Sequence, residues 1–221
     1  MAKPPERRRS TRGTLERRPL LCYITDRKAL PGEDPLPIIE QTVAAGIDLI
    51  QIRERDLPVR KLLALVEGAV KRAGAGTTRV LVNDHLDVAV AAGAAGVHLP
   101  AHGFPVDEVR RSYPELLIGA STHNPDELRR AADGGADFAV FGPVFETPSK
   151  KAYGPPLGLG KLAEAARAVN IPLLALGGVT LENAADCLRA GAAGLAAISL
   201  FQQSADLEET VTRLRALQAK S

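Results

Sequence analysis

One stretch of the chain, residues 141–151, combines residue types that suit a phosphate group. An apolar run at 138–141 leads into Gly142-Pro143, and the segment then continues with Thr147, Pro148, Ser149, Lys150 and Lys151. Hydroxyl and ammonium groups match phosphate oxygens, which accept several hydrogen bonds and favour a nearby positive charge. A solvated lysine loop would have the same composition. The position of this segment in the fold therefore decides between the two interpretations.

Charged side chains earlier in the chain could bind a phosphorylated substrate together with a metal ion. Arg53 and Arg55 supply positive charge, and Asp84 stands beside Asn83. Mg²⁺ is commonly held by one or two carboxylates, substrate phosphates and water, so these residues could hold a magnesium diphosphate. Two simpler interpretations stay open: Arg53 could pair with Glu54, and Asp84 could cap a following helix.

A second phosphate could lie at two later segments, Gly177-Gly178 and Ile198-Ser199. In barrel enzymes a phosphate is often held after strands 7 and 8 by backbone N–H groups. His123, which follows Ser121-Thr122, titrates near neutral pH and is the candidate general acid or base. His98 lies in an apolar run and is interpreted as a core residue.

His85 and His102 have no evident partner in the sequence and are interpreted as surface residues. The histidines and carboxylates also lack the spacing of a zinc site.

Alternating apolar and amphipathic runs predict eight strands, each followed by a helix. The predicted strands are 20–24, 49–52, 79–82, 96–99, 117–120, 138–141, 172–176 and 195–198, and the predicted helices are 35–45, 58–73, 86–91, 106–112, 125–133, 160–169, 183–190 and 207–219. Short strands that are apolar at most positions are typical of a parallel sheet covered on both faces. The pattern predicts an α/β fold, a single (β/α)8 TIM barrel, with an open doubly wound sheet as the alternative.

A repeated glycine signal supports the barrel. Gly46, Gly93, Gly134-Gly135 and Gly191 each end a predicted helix just before every second strand. Glycine can adopt the left-handed conformation that closes a helix, so these residues are interpreted as structural. A four-fold repeat of two βα units is what a barrel built from quarters would show.

In such a barrel the active site lies at the C-terminal ends of the strands. Every candidate residue named above lies at the end of a predicted strand or in the loop after it, so the fold would bring them to one mouth. This placement favours the phosphate interpretation of residues 141–151.

Composition limits the cellular setting. The chain has 221 residues, 45% of them hydrophobic, and two cysteines in separate apolar runs. They are interpreted as buried thiols in a reducing compartment, the cytoplasm. No apolar run reaches 18 residues, so no membrane span is expected.

The first 18 residues differ in charge from the rest. Residues 1–18 carry seven basic and two acidic side chains, whereas residues 19–221 have a net charge of −3. We expect a disordered basic tail at 1–18 and the barrel at 19–221. A nucleic-acid arm or an organellar leader is a weaker interpretation, and no nucleic-acid partner is expected; a homo-oligomer is left open.

The motifs, taken in order, resemble the thiamine phosphate synthase family, which includes the aminothiazole tautomerases. The resemblance rests on residues 51–55 (QIRER), 83–84 (ND), 96–99 (GVHL), 121–123 (STH), 141–150 (FGPVFETPSK) and 177–178 (GG). It implies an enzyme of thiamine biosynthesis that joins hydroxymethylpyrimidine diphosphate to thiazole phosphate and releases diphosphate. Its partners would be small phosphorylated substrates.

The resemblance also implies roles for single residues. The pyrimidine diphosphate would contact Gln51, Ile52, Arg53, Glu54, Arg55, Asn83, Ser121 and Lys150; Mg²⁺ would be bound by Asp84; and the thiazole phosphate would contact Thr147, Pro148, Ser149, Gly178, Ile198 and Ser199. Arg53, Ser121, His123 and Lys150 are the predicted catalytic residues.

Two residues depart from the family pattern. Arg55 stands where a lysine is usual, and Gly103 stands where the synthases carry an aspartate that is a second magnesium ligand. The second departure makes a thiazole tautomerase with His123 as acid and base the alternative function. A regulator that binds thiazole or thiamine phosphate without catalysis is a third interpretation.

Overall fold

Eight short apolar stretches form the strands of one closed parallel barrel, in which each strand pairs with the next and the last pairs with the first. The computed structural model describes residues 14–147 and 155–217. The strands are β1 (Leu20–Ile24), β2 (Leu49–Ile52), β3 (Arg79–Asn83), β4 (Gly96–Leu99), β5 (Leu117–Thr122), β6 (Phe138–Phe141), β7 (Leu173–Leu176) and β8 (Gly194–Ala197). The predicted (β/α)8 barrel is confirmed.

Helices follow the strands as the sequence predicts. They are α1 (Leu36–Ala44), α2 (Val59–Ala73), α3 (Leu86–Ala91), α4 (Val106–Ser112), α5 (Pro125–Asp133), α6 (Gly158–Ala168), α7 (Ala184–Arg189), α8 (Ser199–Gln202) and α9 (Leu207–Ala216). Two 3-10 turns, Arg27–Ala29 and Pro31–Glu33, precede α1. Most boundaries agree with the prediction within three residues. The one-turn helix α8 was not predicted, because four residues are too few for a periodic pattern.

The strands are apolar on both faces because each face packs against a different core. Leu20, Leu49, Leu117 and Leu174 belong to a cluster inside the barrel, which Phe138 also joins. The alternate side chains pack outward against the helices in a larger cluster. Successive side chains on a strand point to opposite faces, so both cores can draw on the same short segments.

The glycines that precede the even-numbered strands have the conformation expected of them. Gly46, Gly93, Gly135 and Gly191 have φ of 79°, 64°, 90° and 95°. Each of these values lies in the left-handed region that side chains other than glycine rarely adopt. The structural interpretation of these glycines is confirmed.

The predicted tail is too long at its C-terminal end. Thr14 and Leu15 are only 5% and 7% exposed, and Leu15 joins the cluster inside the barrel. Thr14 Oγ1 donates to the carbonyl of Thr77 at 3.1 Å, and Arg17 lies 3.3 Å from the buried carboxylate of Asp48. Residues 14–18 therefore belong to the barrel, because one apolar side chain among charged ones is enough to anchor them. Residues 1–13 lie outside the described ranges.

Both cysteines are buried and free, as predicted. Burial, with a smaller contribution from Asp48, raises the pKa of the Cys22 thiol to about 12. In the parts of the chain that the structure describes, no helix has the length and apolar character that a membrane span requires.

Candidate active site

Polar side chains line one side of the barrel interior at its C-terminal mouth. Gln51 on β2 and Asn83 on β3 each follow an inward leucine by two positions and are 3% and 7% exposed. Asn83 lies opposite His98 on β4, and His98 contacts Ser121 on β5. Strands β2 to β5 thus each contribute one polar group to the same layer.

The opposite side of the mouth is apolar. Val140 on β6 and Ile24 on β1 belong to the interior cluster, and Leu176 on β7 and Ile198 after β8 pack against it. Hydrogen-bonding groups therefore face apolar surface across the mouth. This division suits a ligand with one polar and one apolar side.

His98 is a buried, neutral histidine. It is 2% exposed, its Nε2 lies 2.8 Å from Ser121 Oγ, and its ring packs 6.0 Å from that of Phe138. Burial, together with the positive charge of Arg53, lowers the pKa of His98 to about 3. A proton on this ring would be both desolvated and repelled. The interpretation of His98 as a hydrogen-bonded core residue is confirmed.

The loop after β2 is fastened to the loop after β1. The amide of Arg53 donates to Thr25 Oγ1 at 3.0 Å, and the amide of Arg27 donates to Glu54 Oε1 at 3.1 Å. The Arg27 guanidinium lies 3.8 Å from the Glu54 carboxylate. Burial raises the pKa of Glu54, which is 5% exposed. These contacts show that Glu54 holds the loop in place. Arg53 and Arg55, on either side of Glu54 in sequence, follow β2 at the mouth.

A cavity of about 350 Å³ opens beside the polar layer. Its lining comprises Glu54, Arg55, Leu62, Asn83, Asp84, His85, Pro100, His102 and Gly103. The sequence predicted Glu54, Arg55, Asn83 and Asp84 there. His85 and His102, which were interpreted as surface residues, also line the cavity, and His102 is exposed. Their positions directly after β3 and just beyond β4 are the signal that could have placed them at the mouth.

Asp84 does not cap the helix that follows it. The N-cap of α3 is His85, with no side-chain hydrogen bond to the helix, so the capping interpretation is wrong. Asp84 instead has φ of 66°, a left-handed conformation, and its carboxylate lines the cavity. Left-handed backbone in a residue other than glycine is uncommon, although aspartate tolerates it, and such residues cluster at functional sites.

The loops after β6 and β7 are stacked on each other. The amide of Phe145 donates to the carbonyl of Gly177 at 3.0 Å. A Cβ atom on Gly178, whose φ is 65°, would lie 2.5 Å from the carbonyl oxygen of Glu146, so only glycine fits. Asn183 Nδ2 donates to the carbonyl of Gly178 at 2.8 Å and fixes the loop. This support by Asn183 was not predicted.

Some predicted residues are placed elsewhere or lie outside the described ranges. Ile52 packs outward against the helices, because its side chain alternates with that of Gln51. His123, expected to face the pocket, has Nδ1 3.0 Å from Glu127 Oε2, is 43% exposed at its side chain and is not in the cavity lining described above. Pro148, Ser149 and Lys150 fall outside the described residues, whereas Thr147 lies within them.

Comparisons with known proteins identify the family of this chain. A family model described as thiamine monophosphate synthase matches residues 21–201. The chain belongs to the thiamine monophosphate synthase family. It is 39% identical over 203 residues to the thiamine-phosphate synthase of Roseiflexus sp. strain RS-1, covering 91% of this chain and 86% of that protein. It is also 41% identical over 196 residues to that of Methanoculleus marisnigri, covering 88% and 93%.

A solved structure agrees with this family. Thiamine phosphate pyrophosphorylase from Pyrococcus furiosus superposes with a TM-score of 0.80 at 29% identity, covering 92% of this chain and 97% of the other. A 3-hexulose-6-phosphate synthase shares the barrel at a TM-score of 0.66 and 18% identity, which shows the fold alone. The family predicted from the motifs is confirmed.

Proposed function

We propose that this chain is a thiamine-phosphate synthase that joins hydroxymethylpyrimidine diphosphate to thiazole phosphate and releases diphosphate. The observation that carries the proposal is the divided mouth, where the polar layer from β2 to β5 opens into a cavity lined by Arg55 and Asp84. Membership of the thiamine monophosphate synthase family supports the same activity. Small phosphorylated molecules are therefore the proposed substrates.

The pyrimidine diphosphate is proposed to bind on the polar side. Gln51, Asn83 and Ser121 offer hydrogen bonds there, in a layer that is mostly shielded from water. Arg53 and Arg55 supply positive charge where a diphosphate would enter the cavity. A guanidinium can form two parallel hydrogen bonds to phosphate, so Arg55 is a competent substitute for the lysine usual in the family.

The thiazole phosphate is proposed to bind across the mouth, between the loops after β6, β7 and β8. Gly178 permits close backbone approach there, and Ile198 and Ser199 begin the turn of α8. Thr147 follows Phe145 and Glu146, the two residues that contact Gly177 and Gly178. Ser149 and Lys150, outside the described residues, would complete this part of the site.

The residues present could bind Mg²⁺ only together with a phosphorylated substrate. Among the described residues no group of three or more histidine, cysteine or acidic side chains could hold a metal ion. Asp84 offers one carboxylate in the cavity, and Mg²⁺ is typically bound by one or two carboxylates plus phosphate oxygens and water. Asp84 is therefore the proposed ligand. When bound, Mg²⁺ would neutralise negative charge on the diphosphate.

The reaction requires a leaving anion and a stabilised cation. The bond between the pyrimidine methylene carbon and the diphosphate oxygen breaks, and both electrons leave with diphosphate. The nitrogen of the thiazole then donates its lone pair to the methylene carbon and forms the new C–N bond. Arg53 and Arg55 would stabilise the charge that develops on diphosphate.

The neutral state of His98 suits this chemistry. A protonated imidazole in the polar layer would repel a pyrimidine cation, whereas His98, with a pKa near 3, stays uncharged at neutral pH. Val140, Leu176 and Ile198 on the other side would keep water from the cation before the thiazole attacks.

The test is to incubate the purified protein with both substrates and Mg²⁺ and to follow thiamine phosphate. We expect product, and we expect Arg53→Ala to lower kcat by about 100-fold, the usual effect of removing a group that stabilises transition-state charge. Arg60→Ala is the matched control, since Arg60 is an exposed arginine on α2. Absence of product at every Mg²⁺ concentration would refute the synthase function.

The same purified protein tests the two alternatives. Aromatisation of the carboxythiazole, lost in His123→Ala, would instead identify a tautomerase. Binding of thiazole phosphate with neither reaction would identify a regulator.

A further inference from the structure

Gln202, at the end of α8, joins the loop after β8 to the loop after β1. Its side chain is buried, with the residue 8% exposed. Gln202 Oε1 accepts from Tyr23 Oη at 2.7 Å and from the amide of Asp26 at 3.2 Å. Gln202 Nε2 donates to the carbonyl of Asp26 at 2.8 Å. One side chain thus forms one hydrogen bond to β1 and two to the loop after it, a part of the chain that is distant in sequence.

These contacts require an amide and not a carboxylate. The oxygen accepts two hydrogen bonds while the nitrogen donates one, and only an amide does both. Tyr23 is fully buried, and its pKa is raised by burial, with smaller contributions from Glu54 and Asp26, so its hydroxyl stays protonated and donates. Loss of the Gln202 side chain would leave buried polar groups unpaired, which costs more than the bond itself contributes.

On one side, Gln202 is continuous with the proposed phosphate segment Ile198-Ser199. The amide of Gln202 donates to the carbonyl of Ile198 at 2.9 Å, and the amide of Phe201 donates to the same carbonyl at 3.2 Å. The whole helix is one turn, from Ser199 to Gln202. A restraint on its last residue therefore restrains the first.

On the other side, the connection reaches the β2 loop. Asp26, held by Gln202, is followed by Arg27, whose amide donates to Glu54 at 3.1 Å. Arg53 and Arg55 flank Glu54 in sequence. The amide of Arg53 also donates to Thr25 Oγ1 at 3.0 Å, one residue before Asp26. Gln202 is thus next to the phosphate segment, and it is connected to the β2 cations only through the β1 loop.

We propose that Gln202 is a positioning residue, which sets the Ile198-Ser199 segment against the β1 loop so that the thiazole phosphate site is preformed. The proposal rests on the proposed function for the identity of this phosphate. Its effect is local. Thiazole phosphate binding depends on Gln202 directly, whereas pyrimidine diphosphate binding depends on it only through the β1 loop, by the contacts of Thr25 with Arg53 and of Arg27 with Glu54.

The experiment measures the KM of each substrate separately, with the other saturating, in Gln202→Leu and Gln202→Glu. We expect the KM for thiazole phosphate to rise by about tenfold in Gln202→Leu, as when a preformed site must be ordered on binding. We expect the KM for the pyrimidine diphosphate to change by less than about twofold, because Gln202 is connected to that site only through the β1 loop. Gln202→Glu keeps the acceptor but places a second oxygen against the carbonyl of Asp26, so the KM for thiazole phosphate should rise at least as much as in Gln202→Leu.

Gln203→Leu is the matched control, since Gln203 is the next residue and is exposed. It should leave both KM values unchanged. Hydrogen exchange gives a second measurement that does not depend on turnover: the amides of Asp26, Phe201 and Gln202 should exchange faster together in Gln202→Leu.

Two results would overturn the proposal: equal rises of both KM values, which indicate general destabilisation, or no change in the KM for thiazole phosphate. If the wild-type chain forms no thiamine phosphate, the proposed function fails and calorimetric binding of thiazole phosphate decides the inference. An affinity about tenfold weaker in Gln202→Leu than in Gln203→Leu would still support it. Equal affinity, or no binding to the wild type, would contradict it.

Discussion

Gly103 lies directly against the carboxylate of Asp84. A Cβ atom at position 103 would be 3.2 Å from Asp84 Oδ1, and both residues line the cavity beside the polar layer. A side chain at 103 would therefore start at the proposed magnesium ligand. A glycine there leaves Asp84 without a neighbouring carboxylate from position 103.

Gly103→Asp should lower the Mg²⁺ concentration needed for half-maximal synthesis of thiamine phosphate by about tenfold, because a second carboxylate would join Asp84. Without Mg²⁺ the variant should unfold at a lower temperature than the wild type, since two like charges would be adjacent. Addition of Mg²⁺ should raise its unfolding temperature back to that of the wild type. A titration of rate against Mg²⁺ and thermal unfolding with and without the ion provide the measurements.

Gly103→Asn is the control for this change. It has nearly the shape of aspartate and meets the same close contacts, 3.0 Å from Pro100 Cδ and 3.2 Å from its carbonyl oxygen, but it adds no charge. An equal effect of asparagine and aspartate on the Mg²⁺ requirement would show that space, and not charge, is what matters at this position.

Asp84→Asn should raise the Mg²⁺ concentration for half-maximal rate by at least about tenfold, because the only carboxylate proposed as ligand loses its charge. Asparagine tolerates the left-handed φ of 66° at this position, so the free energy of unfolding should stay close to that of the wild type. Asp107→Asn, at an exposed carboxylate on α4, is the matched control. An unchanged Mg²⁺ requirement in Asp84→Asn would show that Asp84 is not a magnesium ligand.

His98 should make the protein less stable in acid. Its folded-state pKa is lowered from 6.5 to about 3, so below pH 6.5 the unfolded chain takes up a proton that the folded chain does not. Stability is therefore lost as pH falls from about 6.5 towards 3, at up to about 1.4 kcal/mol per pH unit. Between pH 6.5 and 5 the loss from this residue should be about 1.5 kcal/mol.

Urea unfolding of the wild type and His98→Asn at the two pH values measures this loss. Asparagine can still hydrogen-bond Ser121 but does not titrate, so the difference in unfolding free energy between the two proteins should shrink in acid. A difference that stays constant from pH 6.5 to 5 would contradict a lowered pKa at His98.

The N-terminal boundary of the barrel can be tested by two deletions. Removal of residues 1–18 should destabilise the protein by about 3 kcal/mol relative to removal of 1–13, because Leu15 leaves the interior cluster and Asp48 loses Arg17. Chemical denaturation of both truncated chains gives the comparison. Arg17→Ala in the full chain should cost less than about 1 kcal/mol, since Arg17 is half exposed and Asp48 keeps Arg215. Equal stability of the two truncated chains would show that residues 14–18 belong to the tail and not to the barrel.

The sequence by itself determined the barrel, the order of its strands and the family. Apolar runs of four or five residues, glycines before every second strand and motifs after each strand are local signals, and a parallel barrel turns them directly into topology. Asn83, Asp84 and Gly178 could be placed at the mouth for that reason, since the end of a strand in sequence is also its end in space.

Only the tertiary structure decided which side chains face one another. Gln202 lies 179 residues from Tyr23 yet shares a 2.7 Å hydrogen bond with it, and His98 on β4 contacts Ser121 on the neighbouring strand β5. His102 and Gly103 join Asp84 in one cavity, although no motif links them. Burial and pairing between distant segments depend on how the barrel closes, and strand registers and side-chain directions are set jointly by both cores. For that reason the placement of Asn83 and Asp84 at the mouth could be predicted from the sequence, whereas the contacts of Gln202 could not.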